Sequence, residues 1–119
     1  MSRQLQKLPD EPIILETLYA NYSIAELAAG REEGQRLLDT QVQPVVWIAD
    51  MRAASTAFIE EFMQIISRVS RNDTPQPYLR GLVYVLPPEY VNEMRQKLMI
   101  PLFDNLDDAF QQARSILIG

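Results

Sequence analysis

The feature that most constrains the fold is a five-residue apolar run, Val-Val-Trp-Ile-Ala at residues 45–49, followed closely by an amphipathic helical pattern. A run without polar alternation is typical of a strand covered on both faces, as in a central, largely parallel strand. The apolar residues that follow recur at three- and four-residue steps, which is the spacing of one helix face. They are Phe58, Ile59, Phe62, Ile65, Ile66 and Val69. The stretch predicts a buried strand, a short loop and a covering helix.

The first forty residues predict a strand pair and a helix. Residues 5–8 and 13–19 flank a turn that contains two prolines, and they could pair as an antiparallel hairpin. Ser23 and Glu26 have the spacing of a capping box, which starts a helix near Ile24. Its predicted inner face holds Leu27, Gly30, Gly34, Leu37 and Leu38. The two glycines either let the helix lie close on the sheet or break it near Gly30.

The second half of the chain repeats the alternation of strand and helix. Residues 71–77 predict a surface loop, 82–86 a buried strand, and 100–103 a short third buried strand. Pro87 and Pro88 end the strand at 82–86 and start a helix, since proline suits a first helical position. That helix has an inner stripe of Val91, Met94 and Leu98, and Asp104 or Asn105 caps the last helix. The stripe of the last helix is Leu106, Ala109, Phe110, Ala113, Ile116 and Leu117.

This order predicts one domain over residues 1–119, without internal repeat or linker. The fold class is α/β: a mixed, mostly parallel sheet flanked by about four helices. Trp47 and Tyr84 lie on predicted strands and are expected in the core, whereas Tyr19 and Tyr22 follow a strand end and could line a contact surface.

Charge and composition exclude several functions. Eleven basic and sixteen acidic residues give a net charge of −5, which argues against nonspecific nucleic-acid binding and against an anionic membrane surface. Histidine and cysteine are absent, which removes disulfides, the common catalytic triads and the usual zinc ligands. We expect no metal, no cofactor and no catalytic residue. With no apolar segment of signal-peptide or membrane-span type, we expect no membrane insertion and a cytoplasmic location.

The loop after the run at 45–49 carries the candidate site. Open α/β sheets place ligands at the carboxyl ends of their strands, and the residues after the next predicted strand should face the same rim. A guanidinium and the free N–H groups of a helix start would attract an anion or an acidic partner. The candidate ligand, partner or phosphorylation residues are Asp50, Arg52, Ser55, Thr56 and Tyr90.

Each candidate also has a structural interpretation. Ser55 or Thr56 would serve as the N-cap of the helix, or as a phosphorylation or anion site. Asp50 and Arg52 would form an ion pair, bind the loop backbone, or take part in function. Two acidic pairs, residues 60–61 and 107–108, are expected in first helical turns, where carboxylates suit the helix dipole.

Three segments resemble a STAS domain, the module shared by sulfate transporters and anti-sigma-factor antagonists, and in particular the SpoIIAA-like group of small bacterial proteins. They are residues 45–50 followed by Ser55 and Thr56, the strand 82–86, and the closing segment 100–110, where a strand ending in phenylalanine precedes a Leu-Asp-Asp-Ala helix start. The resemblance implies a STAS/SpoIIAA-like fold and a nonenzymatic regulatory role in signalling. Antagonist members carry an Asp-Ser-Ser/Thr-Gly phosphorylation motif. Here residues 52–57 read Arg-Ala-Ala-Ser-Thr-Ala, so the phosphoswitch does not transfer directly.

Three function classes follow. The resemblance favours a regulatory or protein-interaction module with a protein partner, and a homodimer through an exposed edge of the first strand pair is one form of it. The alternative is a protein that binds a small apolar or anionic ligand. An enzyme is the class that the missing histidine, cysteine and glycine-rich phosphate loop favour least.

Overall fold

Strands and helices alternate along the chain in the predicted order. The computed structural model describes residues 2–69, 78–97 and 100–119. The predicted loop 71–77 and the stripe residue Leu98 lie outside the described residues. The strands are β1 (Arg3–Lys7), β2 (Ile13–Leu18), β3 (Val45–Asp50), β4 (Leu79–Val85) and β5 (Leu102–Phe103). The helices are a 3₁₀ turn (Ile24–Glu26), α1 (Leu27–Asp39), α2 (Thr56–Val69), α3 (Pro88–Arg95) and α4 (Leu106–Ile118).

The five strands form one sheet in the order β1-β2-β3-β4-β5. β1 pairs with β2 in antiparallel fashion, and the other three pairings are parallel. β3 occupies the centre of the sheet, and all six of its residues are buried. This confirms the predicted α/β fold with a mixed, mostly parallel sheet, and it confirms that the apolar run at 45–49 is an inner strand.

The sheet is covered on both faces, as its apolar strands require. One face carries Trp47 and packs against α1, α2 and α3 through residues such as Leu38, Phe58 and Met94. The other face carries Val46, Ile48, Val83 and Val85 and packs against α4 through Ala109 and Ala113. Trp47 and Tyr84 are core residues, as predicted. Phe110 and Leu106 are only partly buried beside this second cluster.

The two glycines of α1 let the helix lie close on the sheet, and the helix runs unbroken through Gly30. A Cβ at Gly34 would lie 3.0 Å from the Trp47 ring, and one at Gly30 would lie 2.6 Å from the Tyr22 hydroxyl. Tyr22 is 5% exposed and packs edge-on against Phe58, so it belongs to the hydrophobic core.

Several element boundaries differ from the predictions. β5 has only two residues instead of four, and β4 begins at Leu79, before the predicted start. α2 begins at Thr56 and has no acidic residue in its first turn, so the first-turn placement of Glu60 and Glu61 was wrong. The prediction is confirmed in α4, whose first turn contains Asp107 and Asp108.

Candidate functional site

The predicted rim exists at the carboxyl ends of β3 and β4. The two strands are adjacent and parallel, with Asp50 opposite Val85, and the Met51 N–H donates to the Val85 carbonyl at 2.8 Å. The loop after β3 therefore lies on the same edge of the sheet as Pro87 and Pro88, which follow β4 and begin α3.

Asp50 and Arg52 are bound to each other across this loop. The Arg52 guanidinium donates to both carboxylate oxygens of Asp50, at 3.0 Å from Nε and 2.9 Å from Nη2, and the Arg52 backbone N–H donates at 3.1 Å. Asp50 is 6% exposed, whereas the Arg52 side chain is 40% exposed. The hydrogen bond to Asp50 raises the pKa of Arg52. Because the pair satisfies its own charges, it fixes the loop and reduces the attraction of the rim for an anion.

Ser55 caps α2. Its Oγ accepts a hydrogen bond from the Phe58 N–H at 3.1 Å, and its carbonyl accepts from the Ile59 N–H at 3.0 Å. This is the N-cap arrangement expected from a serine at a helix start. Thr56 is the first residue of the helix and is exposed. Phosphorylation of Ser55 or Thr56 stays a prediction.

Tyr90 lies in a shallow depression between α2 and α3. The depression has a volume of about 300 Å³, and none of the other four candidate residues lines it. Met63 and Met94 provide its buried floor, and Glu93 pairs with Lys97 at its margin at 3.2 Å. The structure thus places Asp50, Arg52, Ser55 and Thr56 in one loop and gives Tyr90 a separate local environment.

A second polar cluster, on the α1 side of the sheet, was not predicted. The Arg3 side chain is 9% exposed, and its Nε donates to the Glu16 carboxylate at 2.6 Å. Its other nitrogens donate to Glu33 at 3.2 Å and to the Gly30 carbonyl at 3.0 Å. Glu16 also accepts from the Trp47 indole N–H at 3.3 Å. These contacts fix β1 to β2, β3 and α1.

β1 forms one edge of the sheet, and its backbone hydrogen bonding alternates. The Tyr19 N–H donates to the Ser2 carbonyl and the Leu8 N–H to the Ile13 carbonyl, which sets the bonded pairs of the ladder. Hydrogen-bonded and non-hydrogen-bonded pairs alternate along an antiparallel ladder, so the backbone groups of Gln4 and Gln6 also bond to β2. The N–H and C=O groups of the residues between and beside them point to the open edge; these residues are Arg3, Leu5 and Lys7.

A groove runs between this open edge and α1. It has a volume of about 440 Å³ and is open to solvent. On the helix side its wall consists largely of small residues, Ala25, Ala29 and Gly30, with the carboxylates of Glu26 and Glu33 beside them. Its lining on the other side is Ser2, Arg3, Leu5 and Tyr22.

The acidic side chain of Glu26 is held by the 3₁₀ turn that precedes α1. Its carboxylate accepts from the Ser23 backbone N–H at 2.8 Å, as in the predicted capping box, and from the Ser2 hydroxyl at 3.2 Å. The bond from the Ser23 backbone lowers the pKa of Glu26, so this group is ionised at neutral pH.

The described ranges contain no group of three acidic side chains placed to hold a metal ion. Among the helices of those ranges, none has the length and apolar character needed to cross a membrane. Comparison with models of known protein families gives no match, and neither does comparison with curated proteins.

Proposed function

We propose that the protein is a nonenzymatic protein-interaction module of the STAS, SpoIIAA-like type, and that its partner binds by adding a strand to β1. The α/β order and the strand, loop and capped helix at residues 45–69 support the family proposal. Fold alone does not assign a function, so the functional part of the proposal rests on the edge of the sheet.

The observation that carries the proposal is the outward row of backbone groups on β1. Arg3, Leu5 and Lys7 direct their N–H and C=O groups away from β2, at the end of the sheet. Such a row pairs readily with another extended chain, which is the basis of recognition by strand addition. β5, the strand at the opposite edge, has only two residues and offers much less backbone.

The β1 edge is also held in the conformation that strand addition requires. The network from Arg3 to Glu16, Glu33 and Gly30 attaches one end of the strand to the sheet and to α1. At the other end, the Lys7 ammonium donates to two carbonyls of the hairpin turn, at 2.8 and 3.0 Å. A strand that is already ordered loses less conformational entropy when a partner binds.

A polypeptide suits this surface better than a small ligand. Small-molecule sites usually enclose most of the ligand surface. The groove beside β1 and the depression between α2 and α3 are both open to solvent.

The test is a substitution that removes one outward donor while leaving the β1–β2 ladder intact. Leu5→Pro deletes an outward N–H, and proline is tolerated in an edge strand at such a position. Leu5→Ala is the matched control, because it also removes the partly buried leucine side chain but retains the N–H.

Immobilised wild type and both variants are compared for retention of partners from the native lysate, and light scattering gives their mass in solution. We expect wild type and Leu5→Ala to retain the same partner, or to have a mass in solution above the 13.7 kDa of the monomer. Leu5→Pro should lose the partner, or should have the mass of the monomer. Equal retention by all three proteins, or a wild-type chain that stays monomeric and retains nothing, would contradict strand addition.

A further inference from the structure

The groove beside β1 has an excess of negative charge. Its lining contains one guanidinium, that of Arg3, and two carboxylates, those of Glu26 and Glu33. Arg3 also pairs with Glu16, which does not line the groove, so these four groups together carry a net charge of −2. Arg3 forms its shortest ion pair with Glu16, at 2.6 Å, and reaches Glu33 only at 3.2 Å. The Glu33 side chain is 66% exposed and remains accessible to a cation from outside.

The shape of the groove matches an extended chain with side chains on alternate positions. A strand paired with β1 would direct every second side chain toward α1. There it would meet Ala25, Ala29 and Gly30, which leave space, and then Glu26 and Glu33. The two acidic residues lie seven positions apart, about two turns or 10 Å along an α-helix, whereas alternate residues of a strand are about 7 Å apart. Long, flexible cationic side chains can span this difference.

We infer that the groove between β1 and α1 binds an extended polypeptide segment that carries lysine or arginine at alternate positions. The segment pairs with the outward N–H and C=O groups of Arg3, Leu5 and Lys7. Its cationic side chains bind the carboxylates of Glu26 and Glu33. This inference rests on the proposed function and adds the chemical class of the partner.

A second copy of the chain fits this chemistry less well. The cations of its own β1 are Arg3 and Lys7, and both are already engaged within the subunit. Arg3 is bound to Glu16, Glu33 and a carbonyl, and Lys7 is bound to the carbonyls of Leu8 and Glu11. They are therefore not available to the carboxylates of a neighbouring groove.

The experiment uses two short fluorescent peptides, one with threonine alternating with lysine and one with threonine alternating with glutamate. Fluorescence anisotropy measures their binding to the full chain at low salt. We expect saturable binding of the lysine peptide, about tenfold tighter than the glutamate peptide, and weakening as salt is added.

Three variants locate the binding. Glu26→Gln/Glu33→Gln should weaken the lysine peptide about fivefold, as expected for two exposed ion pairs. Glutamine can still accept the capping hydrogen bond at position 26. Glu60→Gln/Glu61→Gln makes the same change in net charge on the exposed face of α2 and should leave binding unchanged. Leu5→Ala loses a side chain from the groove lining but keeps the outward N–H, so it should weaken binding much less than Leu5→Pro, which should abolish it. Thermal unfolding confirms that each variant is folded.

The outcomes separate this inference from the proposed function. Equal binding of both peptides, lost with Leu5→Pro, would overturn the charge preference and leave strand addition standing. A dimer that dissociates with Leu5→Pro and binds neither peptide would show that the occupant is a second copy, which overturns this inference alone. Peptide binding that Leu5→Pro does not alter would contradict both. A lysine peptide that fails to bind a monomeric wild-type chain would overturn this inference alone, because retention of a partner by wild type and its loss with Leu5→Pro still test strand addition.

Discussion

The Trp47 indole occupies the space into which a side chain at Gly34 would project. A Cβ at Gly34 would lie 3.0 Å from the indole ring, which is itself 9% exposed and hydrogen-bonded to Glu16. Alanine at this position would gain about 1 kcal/mol of helix propensity. We nevertheless expect Gly34→Ala to destabilise the protein by about 1 kcal/mol or more, because a tightly packed and hydrogen-bonded ring cannot move without cost.

The measurement is chemical denaturation of Gly34→Ala, Trp47→Phe and the double variant. The smaller ring should relieve the contact, so the double variant should be more stable than the sum of the two single effects. Additive effects would mean that the contact between residue 34 and the Trp47 ring does not cause the loss of stability.

Phe110 is the residue of α4 that tests packing on the opposite face of the sheet. Its ring is partly buried beside Ala109 and Ala113, and the Arg114 guanidinium lies 5.7 Å from the ring centroid. Complete burial of a phenylalanine would predict a loss of about 3–5 kcal/mol on truncation to alanine. Partial burial reduces our expectation for Phe110→Ala to about 2 kcal/mol. Thermal unfolding should show a clear shift relative to the exposed neighbour Gln111→Ala, and equal shifts would refute this packing.

The hairpin turn and α4 are joined by an ion pair that should depend on pH. Arg114 donates to both Glu11 carboxylate oxygens, at 2.8 and 2.9 Å, and this bonding lowers the pKa of Glu11 below its ordinary value of 4.5. A carboxyl group whose pKa is depressed by folding stabilises the native state above 4.5 and loses that contribution as pH falls through the folded value. Wild type should therefore exceed Glu11→Gln in melting temperature at neutral pH, with the difference shrinking below pH 4.5.

Asp10→Asn is the control for this pair, because Asp10 is the exposed neighbour of Glu11 in the same turn. The melting temperature of Asp10→Asn should differ little from that of wild type at neutral pH. A Glu11→Gln variant that matches wild type at pH 7 would show that the pair contributes nothing in solution.

The rim loop gives a fourth prediction. Arg52→Ala leaves the Asp50 carboxylate, 6% exposed, with only a backbone N–H as donor within the pair. We expect a loss of about 1–2 kcal/mol, between the values for exposed and buried pairs, since the guanidinium is partly exposed. Chemical denaturation measures this loss, and a double-mutant cycle with Asp50→Asn measures the coupling energy between the two side chains. A coupling energy near zero would contradict a stabilising pair.

The same loop allows a test of the phosphorylation hypothesis. Phosphopeptide mapping of the native protein, compared with Arg52→Ala/Ser55→Ala, would detect phosphate at Ser55 or Thr56. A result without phosphate at either hydroxyl would leave Ser55 as the cap of α2 alone.

The sequence was sufficient to predict features that depend on local pattern. The apolar run at 45–49 predicts β3 because a strand that is buried on both faces shows no polar alternation. The sequence offered Asp104 or Asn105 as the cap of α4, and the structure selects Asn105, whose side chain accepts from the Asp108 N–H. The placement of Asp50 and Pro87 on one rim required only that two parallel strands be adjacent.

Features that depend on contacts between distant segments could not be predicted in this way. Arg3 and Glu16 meet because of the register of β1 on β2, and Glu11 meets Arg114 across 103 positions of the chain. The one available signal was Glu16 itself, a carboxylate within an apolar strand. Such a group needs a partner when it is buried.

The most direct test of the central claim is amide hydrogen exchange along β1, with and without the threonine-lysine peptide. In the free protein we expect slow exchange at Gln4 and Gln6, which bond to β2, and fast exchange at Leu5 and Lys7, which face the open edge. When the peptide binds, Leu5 and Lys7 should become protected while Gln4 and Gln6 change little. Unchanged exchange at Leu5 and Lys7, with new protection confined to the loop at 50–56, would contradict strand addition and place the binding surface on the rim.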